Sequence, residues 1–245
     1  MLGKIKTRLR KIVLGEKHSS QAYVNYLRAK GMQIGEDVKF YSPSTTIVDE
    51  QYPWMITIGD HVRITHGVAL LTHDYSWSVL KRFDPPRGQE GAVLGASGHI
   101  SIGNNVFIGT NTVVMRNVTI GSNVIIGAGS VVTGDCEDNG VYAGNPAKKV
   151  MDLDRFYQKR EQAQLEEAVR LANSYYERFG KRPEEEVFHE YFMLFSDVEQ
   201  AERSAVFSEK MKKCDNGQQS AAYLRQNPPR FKDYDAFWEY CIENK

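Results

Sequence analysis

The 245-residue sequence predicts a mainly β protein, a parallel β-helix with helices before it and a helical extension after it. Three observations carry that prediction. An aliphatic residue recurs every six positions; a corner-forming residue recurs three positions after it; and both patterns stop near residue 150, where a charged, aromatic stretch begins. Six is neither the period of an amphipathic helix nor the alternation of a half-buried strand. It suits one short strand plus one corner, a unit that buries little alone and builds a continuous core when successive turns stack.

In chain order, the N-terminal segment, residues 1–31, reads as helical. MLGKIKTRLRKIVLG sets Ile5, Leu9, Ile12 and Val13 on one helical face, with Lys4, Lys6, Arg8, Arg10 and Lys11 over much of the rest. Weak contact with an anionic membrane surface is one reading of it; a helix packed on the domain with a solvated basic side is the preferred one. The positive start is followed by no apolar run of signal-peptide or bilayer-spanning length, which predicts a cytoplasmic protein. A further helix is expected over Ser19 to Lys30, ending at Gly31.

The repeat region, residues 32–150, begins irregularly with Ile34 and Phe40. It then runs Ile58, Ile64, Leu70 and, after a gap, Ile102, Ile108, Val114, Ile120, Ile126, Val132. Val62, Val68, Val106, Thr112, Val118, Val124 and Ser130 follow four positions after most anchors. Three positions after the anchors stand His61, Gly67, His73, Asn105, Asn111, Asn117, Asn123, Gly129 and Asp135. Those residue types tolerate left-handed backbone, as a tight corner demands. The gap, residues 74–99, contains DYSWSVLKRFDPPRGQEGAVLGASG. A loop that long inside a repeat fold is more often functional than accidental, and His73 stands at its base.

Composition excludes some partners. Lys plus Arg and Asp plus Glu both total 31, so no charge excess points to nucleic acid. Cys136, Cys214 and Cys241 are few, odd in number and far apart, which suits free thiols in a reducing compartment.

ITIGDHVRI (Ile56 to Ile64), LLTHD (Leu70 to Asp74), HISIGNNVFIG (His99 to Gly109), VTIGSNVIIGAGSVVTGD (Val118 to Asp135) and AGNPAKKV (Ala143 to Val150) resemble the hexapeptide-repeat acyltransferases. The resemblance is closest to the sugar O-acetyltransferases, galactoside and maltose acetyltransferases among them. It implies a left-handed helix, a hand the period itself does not give, since strand crossovers are ordinarily right-handed. It also implies acetyl-CoA as co-substrate, a saccharide acceptor, and a homotrimer with active sites between adjacent prisms.

Residue by residue, the resemblance assigns His73 as the general base that takes the proton of the acceptor hydroxyl, a transfer suited to imidazole. Phe107, Thr110, Ala128, Thr133, Lys148 and Lys149 match coenzyme A positions, with the lysines meeting phosphate. The Thr110 N–H is the candidate oxyanion donor. Asp49 and Glu50 match acceptor-binding acids; apart from the resemblance, Trp77, with Trp54 and Tyr75, offers either a face for a sugar or surface for burial between subunits. Where the family carries an acceptor-binding asparagine, this chain has Ser42, Pro43 and Ser44, so the acceptor need not be a galactoside or maltose. Asp74, Glu90, Asp49 and Glu50 all stand where a carboxylate could orient His73, and spacing does not choose among them.

Two further functions compete. N-acetyl transfer to an amino sugar nucleotide differs only in acceptor chemistry. A γ-carbonic-anhydrase-like zinc enzyme would use the same prism, but His66 falls near one ligand place and Leu71 occupies another, so no metal is expected. His61 and His99 read as structural.

Residues 151–245 read as an α-helical extension. Helix is expected from Asp152 to Phe179, closed by Gly180, and another from Pro183, with Glu184, Glu185 and Glu186 at its positive end. RFKDYDAFWEYCIENK should close the chain as a short amphipathic helix.

Overall fold

The structure, a computed structural model, describes residue 9, residues 11–84 and residues 90–244. It divides into two compact units, one ending at Phe156 and one running from Tyr157 to Lys245. The basic face expected at the N-terminus falls largely outside the described residues. Of its apolar side, Leu9, Ile12 and Val13 are exposed.

Helix α1 (Ser20–Ala29) forms where expected: the Ser19 side chain accepts from the Ala22 amide, and Gly31 follows with φ of 103°. α1 buries Tyr23, Val24 and Leu27, and the Tyr23 ring meets Phe40 edge-on at 5.1 Å. The first coil then comprises β1 (Gln33–Ile34), β2 (Lys39–Phe40) and β3 (Ile47–Val48). The second comprises β4 (Ile56–Ile58), β5 (Arg63–Ile64) and β6 (Ala69–Leu70). The insert carries β7 (His73–Asp74), α2 (Trp77–Leu80) and β8 (Ala96–Ser97). The third coil is β9 (Ile100–Ile102), β10 (Val106–Ile108) and β11 (Val113–Val114), and the fourth is β12 (Val118–Ile120), β13 (Val124–Ile126) and β14 (Val131–Val132). A hairpin of β15 (Gly140–Gly144) and β16 (Ala147–Asp152) closes the prism.

Equivalent strands stack in parallel as three faces: β1-β4-β9-β12, then β2-β5-β10-β13-β15 with β16 antiparallel at its end, then β3-β6-β11-β14. We call these faces A, B and C. Ile102 registers with Ile120, Ile108 with Ile126 and Val114 with Val132, each one 18-residue turn apart. The anchors from Ile58 to Val132 and the residues two before them fill the interior, and Thr112 and Ser130 are buried there as well.

Edge A/B is built for cohesion. Its residues His61, Asn105, Asn123 and Asn139 take φ between 54° and 57°, a left-handed conformation that Asn111 and Asn117 share, at 58°, on the other two edges. The Asn105 amide donates to Asn123 and the Asn123 amide to Asn139, both at 2.9 Å, linking successive turns along the A/B edge. A Cβ on Gly103 would lie 2.8 Å from the Gly121 carbonyl carbon, so the stacking of turns itself demands glycine there.

Helix α3 (Leu153–Phe179) begins in the last residues of the first unit, contributes most of its length to the second, and is closed by Gly180 with φ of 66°. The expected α-helix at Pro183 is instead a single 3-10 turn, Glu185–Phe188. Its first-turn acids have no side-chain cap, and Phe188 turns into a cluster with Phe195 and Phe237. After α4 (Val198–Arg203), α5 (Ala205–Met211) and α6 (Gly217–Gln226) comes α7 (Tyr234–Glu243), the expected terminal helix, capped by the Asp233 side chain on the Ala236 amide at 2.9 Å. Among the described residues no helix is long and apolar enough to cross a membrane.

Candidate active site

The residues singled out in the sequence lie on two different edges of the prism. Edge C/A, reached after face C, carries Asp49 after β3, Thr72 and His73 after β6, Arg116 after β11 and Thr133 after β14. Edge B/C carries Ser42 and Thr45 after β2, His66 after β5, Thr110 after β10 and Ala128 after β13.

At edge C/A, His73 departs from the corner role its spacing predicted. It is not among the positive-φ residues, and neither is Asp135. The chain at His73 instead runs extended out of the coil into β7, paired antiparallel with β8. Asp49 reaches this place because its amide donates to the Leu70 carbonyl at 3.0 Å, one coil on. The Asp49 side chain is only 6% exposed and its Oδ2 takes Nδ1 of His73, the Thr72 hydroxyl and the Thr72 amide, the last at 3.2 Å. Oδ1 accepts from the Gln51 amide at 3.0 Å. Burial works to raise this carboxyl, but the bonds from Thr72, His73 and Gln51 outweigh it and hold Asp49 below the ordinary carboxylate range. An ionised acceptor assigns the proton to Nδ1 and leaves the lone pair on Nε2. The imidazole is 32% exposed, and Tyr52 packs edge-on against it with centroids 5.4 Å apart.

Asp49 is therefore the carboxylate on His73, and both its oxygens accept hydrogen bonds from the protein. Glu50, the next residue, accepts from the Tyr26 hydroxyl of α1. Asp74 turns toward Arg116, and Glu90 is exposed. Trp77 lies in α2, its ring 4.6 Å from that of Tyr75, and Trp54 stands 61% exposed beside Tyr52.

At edge B/C, the Gly127 amide donates to Tyr142 and the Gly129 amide to the Thr110 carbonyl. Between them, the Ala128 amide takes no backbone carbonyl among the described residues, and neither does the Thr110 amide one coil earlier. Two stacked N–H groups are thus left for another acceptor. Phe107 projects from face B between Arg63 and Ile125. The Ser42 carbonyl closes a turn by accepting from Thr45 and Thr46, which sets Ser42 on edge B/C and away from His73. Thr133 lies on edge C/A, apart from Ala128.

The lysine pair divides. Lys148 and Lys149 are consecutive on β16 and so face opposite sides. Lys149 pairs with Asp152 at 2.8 Å and sits opposite the buried Tyr142, while Lys148 sits opposite Ala143, whose Cβ lies over Gly127.

A model of the bacterial transferase hexapeptide family, with six repeats, matches residues 99–134. Protein CapG of Staphylococcus aureus is 41% identical over 133 residues, which are 54% of this chain and 73% of that protein. The chain belongs to the bacterial hexapeptide-repeat transferases. Among solved structures similar to this transferase are a galactoside acetyltransferase in complex with coenzyme A (28% identity, 63% of this chain and 85% of that one, TM-score 0.43) and a maltose O-acetyltransferase of Clostridium difficile 630 (26%, 61% and 83%, TM-score 0.41). A hexapeptide-repeat acetyltransferase of Vibrio cholerae O1 biovar eltor, complexed with acetyl coenzyme A, is 28% identical at a TM-score of 0.40; the match spans 51% of this chain and 61% of that one.

Three residues of the transferase's edge C/A escaped the sequence reading: Tyr52, Thr72 and Arg116. Thr72 was open to inference, since a hydroxyl directly before the histidine can reach the same carboxylate. Tyr52 was hidden because the first coil is irregular: Ile34 and Ile58 are register partners 24 positions apart.

Proposed function

We propose that this hexapeptide-repeat transferase is an acetyl-CoA-dependent O-acetyltransferase that uses His73 as general base on a saccharide hydroxyl. The observation that carries the reading is the buried Asp49 carboxylate on Nδ1 of His73, with Nε2 left as the free basic nitrogen on a half-exposed ring. The acceptor oxygen attacks the thioester carbonyl while its proton passes to Nε2. The tetrahedral intermediate then collapses, its carbon–sulfur bond breaks, and the departing thiolate recovers that proton from the imidazolium. No covalent acyl-enzyme is needed.

Within one chain His73 and the Thr110 amide are on different edges, separated by the width of face C, on the order of 15 Å for five extended residues. They can serve one acetyl group only if a second copy brings its edge B/C against edge C/A. The faces support this. Outward positions on face A read Gln33, Thr57, Ser101 and Thr119, whereas those on face C read Ile47, Ala69, Val113 and Val131. Face C, bounded by the two edges in question, is thus the apolar one, and its burial in a homotrimer completes the site. In that arrangement Thr110 and Ala128 amides meet the pantetheine arm or the oxyanion, Phe107 lies beside the donor, and Lys148 is the phosphate contact.

Support for a saccharide comes from the aromatic pairs Tyr52 with Trp54 and Tyr75 with Trp77, which present amphipathic ring surfaces near the base. Ser42 of a neighbouring copy would reach the same cleft. The test is an acceptor screen with labelled acetyl-CoA over mono- and oligosaccharides, nucleotide sugars and amines. Transfer to hydroxyls of saccharides supports the reading; transfer confined to amines overturns it.

A further inference from the structure

We infer that Arg116 is a positioning residue for His73, acting through Asp74. The inference rests on the general-base reading above and concerns what holds that base in place. One coil on from His73, at the same edge, the chain turns its corner through the left-handed Asn117, φ of 58°. At His73 it does not. The backbone leaves the prism there, and its only strand pairing among the described residues is the two-residue ladder of His73 with Ser97 and Asp74 with Ala96. A ladder that short is weak by itself, yet a base must be held close to its productive orientation, because a misplacement of about 1 Å costs on the order of 100-fold.

The structure ties this stretch to two coils. Toward the first coil, Asp49 takes His73 and Thr72 together. Toward the third coil, Arg116 Nε donates to Asp74 Oδ2 at 3.1 Å, while Asp74 Oδ1 accepts from the Ser76 amide at 2.9 Å and from the Ser76 hydroxyl. Arg116 can do this because Leu70 registers with Val114, which puts residue 116 one strand spacing from residue 72. Its backbone belongs to a coil whose core neighbours Val114 and Val118 are buried, and its guanidinium fastens the exit of the insert to that coil. Gly98 closes the other end, its amide donating to the Thr72 carbonyl at 2.8 Å. Thr72 and His73 are thereby bound to Asp49 of the first coil and Asp74 to Arg116 of the third.

The test compares Arg116→Met, which keeps the length of the side chain, with Arg116→Lys, Asp74→Asn and the Arg116→Met, Asp74→Asn double variant in the full chain. Arg116→Met is expected to lower kcat by about 10-fold or more while KM for acetyl-CoA stays within about twofold. Asp74→Asn should match it, the double variant should be no worse than either alone, and Arg116→Lys should recover part of the loss. A kcat within about twofold of wild type in Arg116→Met overturns the inference, and so does a change that falls on KM alone. His73→Ala, run alongside, separates the two readings. If it loses turnover while Arg116→Met does not, only the positioning role falls; if it too retains turnover, the general-base reading falls and takes this one with it.

Discussion

Asp49 bonds the imidazole of His73 and Asp74 follows that residue in the chain; both are held ionised, for different reasons. Asp49 is buried and satisfied by four hydrogen bonds, whereas Asp74 is only half-buried and lowered to about 2 by the Ser76 hydroxyl and amide and then by Arg116. A carboxyl whose folded value lies below its ordinary one contributes stability above that ordinary value and loses it as pH falls through the folded one. For Asp74 the window runs from about 3.8 down to about 2. Asp74→Asn is therefore expected to melt below wild type at pH 5 and above, with the difference closing between those two values; a constant difference down to pH 2 would contradict the assignment. At the other edge, the split of the lysine pair yields a sharper expectation than the sequence allowed. Lys148→Ala should weaken coenzyme A binding by about 3- to 10-fold, in line with loss of one exposed charge contact, and Lys149→Ala, already paired to Asp152, by less. Calorimetry on the two variants checks the order.

At the scale of the element, the prism depends on glycine where turns approach most closely. Gly103→Ala is expected to cost roughly 1–3 kcal/mol, because its Cβ meets backbone that cannot yield. Gly134→Ala, where nothing lies within 4 Å, is the control, and equal thermal midpoints for the two variants would count against the stacking argument. Such elements were legible in the sequence because stacking repeats one physical constraint in every turn: aliphatic anchors inside, asparagine at left-handed corners, glycine at close approaches. His73 was found by the same regularity, at the point where the repeat breaks. Ile58 and Ile102 register with one another 44 positions apart, 26 more than one turn, and the excess is the insert. Its partners were not legible. Asp49 reaches His73 across a first coil whose length departs from the period, and Arg116 reaches Asp74 across the insert, so neither contact has a spacing to read. The 3-10 turn near Pro183 was missed for a related reason, since the packing of Phe188 in an aromatic cluster outweighed the local preference for helix at that proline.

For the whole molecule, the three edges divide the labour. Edge A/B is given over to side-chain ladders that hold turns together, edge C/A carries the Asp49–His73 pair and edge B/C the Thr110 and Ala128 amides, and the apolar face C lies between them. On the proposed function that arrangement would make assembly part of the chemistry, because one chain carries His73 on one edge and, among the described residues, amides without a backbone acceptor on another. The helical unit from Tyr157 onward has its own core of Phe188, Phe195, Phe207 and Phe237, and is thus built to be stable by its own packing. The account as a whole turns on His73. Its most direct test is transfer of labelled acetyl from acetyl-CoA by wild type and His73→Ala, with coenzyme A affinity measured in both. A fall in kcat of about 100-fold or more at unchanged affinity is the predicted result; turnover within about threefold of wild type would contradict it.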